Sequence, residues 1–278
     1  MHATVARQWI ERWDRQQEVS LPEREDRFIA LIDAVQEATG MADPLVLDVG
    51  CGPGSLGIRL LERLPDATVI GIDADPVTLA LGRAAHGDRI TFTSIDLRDP
   101  GWPSRLPVDR PADAAVSTTA LHWLTEDALR AFYRTLADVL RPGGVFLNGD
   151  HLRENPETAP VLARIGRALN ELEDQRHFPR GHGESWTGWW DAVTADPALA
   201  PLAAERAALN VGADHSSSEA ILLSVHVDAL RAAGFAEVGT LWQRGANRLL
   251  CAIRLAPPPR PRAASPLSGR AIPGGGAR

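Results

Sequence analysis

The sequence predicts an α/β protein with a doubly wound parallel core over residues 44–150, and three observations carry that prediction. First, short apolar runs alternate with helical stretches: LVLDVG, SLGIRLLERL, TVIGID, PVTLALGRAA, ITFTSID, AAVSTT, LRAFYRTLADVL and GGVFLN. Parallel strands need crossover helices, so this rhythm reads as a sheet with helices on both faces. Second, a glycine-rich turn, GCGPG, follows the first run directly. Third, the second run ends on an acidic residue, Asp73, about 20 residues beyond that turn, where open α/β sheets hold a ribose.

The flanks read as follows. Residues 1–43 form a helical cap of two helices broken near SLPERED. In the second, Phe28, Ile29, Ile32 and Val35 fall at helical spacing and Gly40 supplies the stop. Residues 151–215 contain no strand pattern and read as a helical lid inserted after the fifth strand, its first helix starting at Asn155 as cap with Pro156 behind it. Over 216–255, VDALRAAG is a helix closed by Gly234. FAEVGTLWQR and NRLLCAIRL are strands joined by Gly245–Ala246, a link short enough for an antiparallel hairpin at the sheet edge. Residues 256–278 are Pro, Gly, Ala and Arg with few large apolar side chains, the composition of a disordered tail.

Composition narrows the function classes. Net charge is −7, and all 29 basic residues are arginines scattered along the chain, so no basic stripe for nucleic acid is present. No apolar run approaches the ~20 residues of a membrane span. The N-terminal stretch carries charge throughout, unlike a signal peptide, which points to the cytoplasm. Cys51 and Cys251 lie in a glycine turn and a strand, so a disulfide framework is not expected. No ligand pair at metal-binding spacing stands out.

The stretch VLDVGCGPGSLG can be parsed two ways. Gly52, Gly54 and Gly57 match the dinucleotide fingerprint; Gly50, Gly52 and Gly54, preceded by Asp48, make a different loop. Asp48 at the end of the first strand would repel a pyrophosphate but suits the ammonium of a methionine moiety. Asp73 serves either cofactor. Asp96, in TSIDL, is an acceptor placed for an adenine amino group, with Ile95 and Leu97 as apolar walls.

With LDVGCGPG, GIDAD, SIDL and LRPGG, the chain resembles the class I S-adenosylmethionine-dependent methyltransferases over residues 44–150 and the terminal hairpin. The resemblance implies a Rossmann-like seven-stranded sheet whose last strand is antiparallel, with S-adenosyl-L-methionine as cofactor. It implies that Gly50, Gly52 and Gly54 admit the cofactor to the backbone, Asp73 holds the ribose, Asp96 and Leu97 frame the adenine, and Ala74 is a further cofactor contact. The Gly52 to Gly57 fingerprint is then a coincidence. The segment VSTTALHWL is similar to its counterpart in small-molecule methyltransferases of the trans-aconitate and juvenile hormone acid type, which implies that Ser117 and Thr118 lie near the methionine end.

Methyl transfer from a sulfonium needs alignment more than acid assistance. A carboxylate acceptor is already ionised, whereas a hydroxyl or ammonium must lose a proton to a base. His122 is the first candidate base and His151, after the fifth strand, the second. His182 on the insertion could complete a pocket. Trp13, Trp123, Trp186 and Trp190 are candidate acceptor-binding residues, forming with Trp9 and Trp189 an aromatic lid over a small apolar or planar molecule. Gln16, Gln17 and Glu18 are further candidate contacts. The expected activity is methylation of oxygen or nitrogen on a carboxylic acid or secondary-metabolite scaffold. The alternatives are a non-methylating enzyme using the same cofactor, a binding protein without turnover, and a dinucleotide oxidoreductase.

Overall fold

The first strand, β1 (Leu45–Val49), is buried at all five positions, which is why its sequence is a continuous apolar run interrupted only by Asp48. A computed structural model describes residues 1–21, 23–177, 184–211 and 221–254. The remaining core strands are β2 (Thr68–Asp73), β3 (Thr91–Ser94), β4 (Ala112–Thr118), β5 (Leu140–His151), β6 (Phe235–Arg244) and β7 (Asn247–Arg254). Among the described residues they form one seven-stranded sheet of order β3-β2-β1-β4-β5-β7-β6. The strands β1 to β5 pair in parallel, and β7 inserts antiparallel between β5 and β6. The two-residue link Gly245–Ala246, with Gly245 at φ 59°, closes the β6–β7 hairpin.

Helices cover both faces. On one, α5 (Glu126–Val139) and α9 (Leu223–Ala232) bury Leu129, Phe132, Tyr133, Leu136 and Leu230 with Trp102 against the sheet. On the other, α2 (Arg24–Thr39), α3 (Ser55–Arg63) and α4 (Pro76–His86) bury Phe28, Leu31, Val35, Leu56, Leu60 and Leu79. A third cluster joins α1 (Ala3–Ser20) and α4 to α7 (Trp186–Ala195) and α8 (Ala200–Ala208) through Ala6, Trp9, Ile10, Val77, Leu81, Trp189 and Val193. That cluster clamps the insertion and the first helix together over the C-terminal ends of the strands, where ligands of doubly wound sheets bind.

Two local expectations are corrected. The first insertion helix, α6 (Pro160–His177), begins a turn later than Asn155. Asn155 Oδ1 instead accepts from Glu157 N–H, closing a separate turn. Pro160 then starts the helix, because a residue before proline resists helical geometry while proline itself suits the first turn. On α2, Ile29 is 59% exposed, and the buried face is completed by Arg24 and Arg27 instead. The expected tail 256–278 and His182 lie outside the described residues. Among the described residues, no helix is long and apolar enough to cross a membrane.

Candidate active site

Where β1 ends, the chain turns through Gly50, Gly52 and Gly54 at φ 67°, 53° and 87°, a region that favours glycine. Each has its own reason. A Cβ on Gly50 would run into the Ala120 methyl. Gly52 donates its N–H to Asp73 Oδ2 at 2.7 Å, pulling the turn onto the end of β2. Gly54 leads into α3, and a Cβ there would meet the Phe92 ring. Asp73 Oδ1 accepts from Asp75 N–H at 2.9 Å. Burial, with Asp75 adding repulsion, pushes the Asp73 carboxyl up to about 6 despite those N–H donors.

A cavity of about 520 Å³ opens in front of this turn. Of the residues expected to hold the cofactor, Gly50, Gly52, Asp73, Ala74, Asp96, Leu97 and Thr118 line it. Asp48, Gly54 and Ser117 do not line it. Asp48 is buried behind the turn with Oδ2 accepting from Gly57 N–H at 3.1 Å, and burial raises its carboxyl to about 7. Ser117 and Thr118 are neighbours on one strand and point to opposite faces, so only one can meet the cavity. Gly57 has a function after all: a Cβ there would sit 3.1 Å from Asp48 Oδ2 and 3.2 Å from Ile90 and Val69, so its absence lets α3 close onto the sheet.

Asp96 is held by Arg98, whose Nε and Nη2 donate to both carboxylate oxygens at 2.8–3.1 Å. Burial works against ionisation of Asp96, but the hydrogen bonds and charge of Arg98 outweigh it and keep the carboxyl below its ordinary value. Sequence reading did not single out Arg98, since an arginine two residues from an aspartate is commonplace.

After β4 comes Thr119, a β-branched residue at φ 48° whose N–H donates to Gly149 O at 2.9 Å. That costly backbone turns the chain into a single helical turn, Leu121–Trp123, presenting His122 and Trp123 to the cavity. His122 Nδ1 lies 2.9 and 3.1 Å from the two oxygens of Asp150, at the end of β5. Asp150 is fully buried and also accepts from His151 N–H at 2.8 Å. Burial alone would raise the Asp150 carboxyl, but the charge and hydrogen bond of His122 outweigh it and hold it far below the ordinary range. In His122 burial favours the neutral ring, but Asp150 outweighs it and raises the pKa. His151 lines the cavity with its pKa lowered, chiefly by burial.

Behind this pair, the fully buried Arg27 crosses Gly149 and donates from Nη1 to Asn247 Oδ1 and from Nη2 to Thr118 Oγ1, each at 2.6 Å. Burial lowers its pKa to about 10. Arg27 and the role of Asp150 were missed from sequence; an arginine on the apolar face of α2 was the signal available.

The first helix, the turn after β4 and α7 bring tryptophans to the cavity. Trp13, Trp123, Trp186 and Trp190 all line the cavity and are half-buried. Ring centroids of Trp13 and Trp186 lie 5.3 Å apart, Trp186 and Trp190 5.7 Å, and Trp123 and Trp186 6.3 Å. Trp9 and Trp189 pack behind them, with Trp189 fully buried. Gln16 and Gln17 also line the cavity, whereas Glu18 does not. Two ion pairs join the insertion to α1 and α4: Arg12 to Glu184 at 2.5 Å, and Arg206 Nε to Asp75 Oδ2 at 2.6 Å, with the Arg206 guanidinium 3.9 Å above the Trp190 ring.

These residues fit an adenosyl cofactor better than a dinucleotide. A pyrophosphate needs free backbone donors at the glycine turn, but the Gly52 N–H is already taken by Asp73. The acidic side chains Asp73 and Asp96 in the wall suit ribose hydroxyls, an adenine amino group and a cationic sulfonium.

Comparison with known proteins agrees. A family model described as a methyltransferase domain matches residues 46–144. A trans-aconitate 2-methyltransferase of Streptomyces avermitilis is 30% identical over 194 residues, 63% of this chain and 67% of the relative. One from Methylobacterium radiotolerans is 31% identical over 160 residues, 57% of this chain, and the match spans half (50%) of that relative. The solved structure of Streptomyces venezuelae DesVI shares the fold at a TM-score of 0.55 and 17% identity, covering 89% of this chain and 98% of that one. The chain belongs to the class I S-adenosylmethionine-dependent methyltransferases.

Proposed function

We propose that the protein transfers a methyl group from S-adenosylmethionine to an oxygen or nitrogen of a small metabolite in the cytoplasm. The observation that carries this reading is one cavity lined on one side by Gly52 and Asp73 and on the other by His122, with the tryptophan lid above both. Bound there, S-adenosylmethionine supplies an electrophilic methyl on a leaving group that needs no protonation. The chain contributes the rest. Asp73 and Ala74 hold the ribose, Asp96 and Leu97 bracket the adenine, and Thr118, anchored by Arg27, borders the methionine end. With Nδ1 committed to Asp150, His122 takes any acceptor proton at Nε2. The tryptophans exclude water and orient the acceptor, which supplies much of the acceleration for an in-line transfer.

The experiment is isothermal titration calorimetry with S-adenosylhomocysteine on wild type and Asp73→Ala, followed by a mass search for methyl gain on acceptors. Micromolar binding weakened more than about tenfold by the substitution, roughly 1.4 kcal/mol, supports the reading. A folded wild type that does not bind refutes it.

A further inference from the structure

We infer that the acceptor is a neutral, planar molecule methylated on a weakly acidic hydroxyl, a phenol or enol, and not a carboxylic acid. This inference rests on the function proposed above and narrows it.

Three features of the cavity point the same way. The first is charge. Among the described residues lining the cavity the guanidiniums are Arg24, Arg98 and Arg206, and each already has a carboxylate: Asp14 at 3.0 Å, Asp96 at 2.8 Å and Asp75 at 2.6 Å. Asp73 adds a further carboxyl group to the wall. An anionic acceptor would have to take a guanidinium from an existing ion pair, and leaving that carboxylate without its partner is costly. A neutral acceptor displaces nothing.

The second is shape. Four half-buried tryptophans line the lid side, their rings inclined by 59° (Trp13 to Trp186), 69° (Trp186 to Trp190) and 35° (Trp123 to Trp186). Rings at these angles offer both faces and edges to a flat molecule, the arrangement in which aromatic contacts gain most.

The third is the base. A carboxylic acid is ionised at neutral pH and has no use for a general base, whereas a phenol, with a pKa near 10, must lose its proton as it reacts. The site nevertheless maintains a buried His–Asp pair: Asp150 is removed from water at the end of β5, and it fixes His122 through Nδ1. Keeping that carboxylate buried costs free energy, and a carboxylate acceptor would give nothing in return. In the reaction, the hydroxyl proton passes to His122 Nε2 as the oxygen bonds to the methyl carbon. The carbon–sulfur bond breaks with its electron pair going to sulfur, releasing S-adenosylhomocysteine and the methyl ether. His122 then returns the proton to solvent.

The test uses the full chain. S-adenosylhomocysteine is titrated first. Then phenol and 2-naphthol, benzoic and 2-naphthoic acids, and trans-aconitate are titrated calorimetrically into the protein saturated with S-adenosylhomocysteine. Each is also supplied with S-adenosylmethionine and the product analysed by mass, for wild type and His122→Asn. The expected result is that at least one phenol binds ten times more tightly than its matching acid and than trans-aconitate. It gains one methyl on oxygen, and His122→Asn keeps its binding within about threefold while losing ~100-fold in turnover. If S-adenosylhomocysteine binds but an acid binds as tightly as the phenols or is methylated faster, the inference is overturned and the proposed function stands. Binding of none of the five also overturns it. Failure to bind S-adenosylhomocysteine removes the proposed function and the inference together.

Discussion

His122 and Asp150 meet across the ends of two adjacent parallel strands, Nδ1 to Oδ1 at 2.9 Å, with the carboxylate buried and the imidazole on the cavity wall. The groups acting on the ring are Asp150 and His151 from β5, Arg27 from α2 and, farther back, His226 from α9. Asp150 raises the His122 pKa against burial and Arg27. A base works only when deprotonated, so the turnover of wild type rises with pH through a midpoint above the ordinary ~6.5 of histidine. In Asp150→Asn, burial and Arg27 act without opposition, the midpoint moves to lower pH, and the plateau falls by roughly 10- to 100-fold. Profiles of kcat from pH 5 to 9 on both proteins check this; identical midpoints would remove His122 as the base.

Asp48 is a buried carboxyl raised to about 7, with only one of its oxygens hydrogen-bonded. Because its folded pKa is above the unfolded one, its stabilising effect is complete below about pH 4 and is lost as pH rises through 7. Asp48→Asn keeps an acceptor for Gly57 N–H and carries no charge. It is expected to be more stable than wild type at pH 8 by on the order of a few kcal/mol, at roughly 1.4 kcal/mol per pH unit, and to converge with it near pH 4. Urea midpoints at the two pH values measure the difference.

Gly50 combines φ 67° with a direct approach to the Ala120 methyl. Gly50→Ala is therefore expected to cost roughly 2–4 kcal/mol, from the clash and the strained backbone together. Adding Ala120→Gly removes the clash and leaves the strain, so the double variant should recover about half of the loss. A double-mutant cycle in urea reads the coupling, and strict additivity would show that the two residues do not touch.

Arg206 ties α8 to the N-terminal cap of α4 through Asp75 and stacks on Trp190. Arg206→Met is expected to loosen the lid by about 1–2 kcal/mol, adding a half-buried ion pair to a cation–π contact. Hydrogen exchange should quicken in α7 and α8 while β1, β4 and β5 keep their protection. Faster exchange throughout the sheet would mean that the pair supports the whole fold.

The alternating pattern of apolar strands and amphipathic helices, the two-residue hairpin link and the glycine turn with Asp73 were legible in the sequence, because each depends on local periodicity or backbone conformation. That Trp13, Trp186 and Trp190 would gather could be expected from composition, and the structure brings them to one cavity. What tertiary structure alone decided is which polar side chains meet. His122 and Asp150 are 28 residues apart, and Arg27 reaches Asn247 across 220. Such pairs depend on strand register and helix packing between distant segments, which no local pattern encodes. The same limit explains Ser117 and Thr118: alternation says that they face opposite ways, but only the placement of β4 beside β1 and β5 decides which of them meets the cavity. Arg27 is the sharpest case. A charged residue on an apolar helix face looks like an interruption until Thr118 and Asn247 are brought to it, because a buried guanidinium is stable only where its hydrogen bonds are supplied.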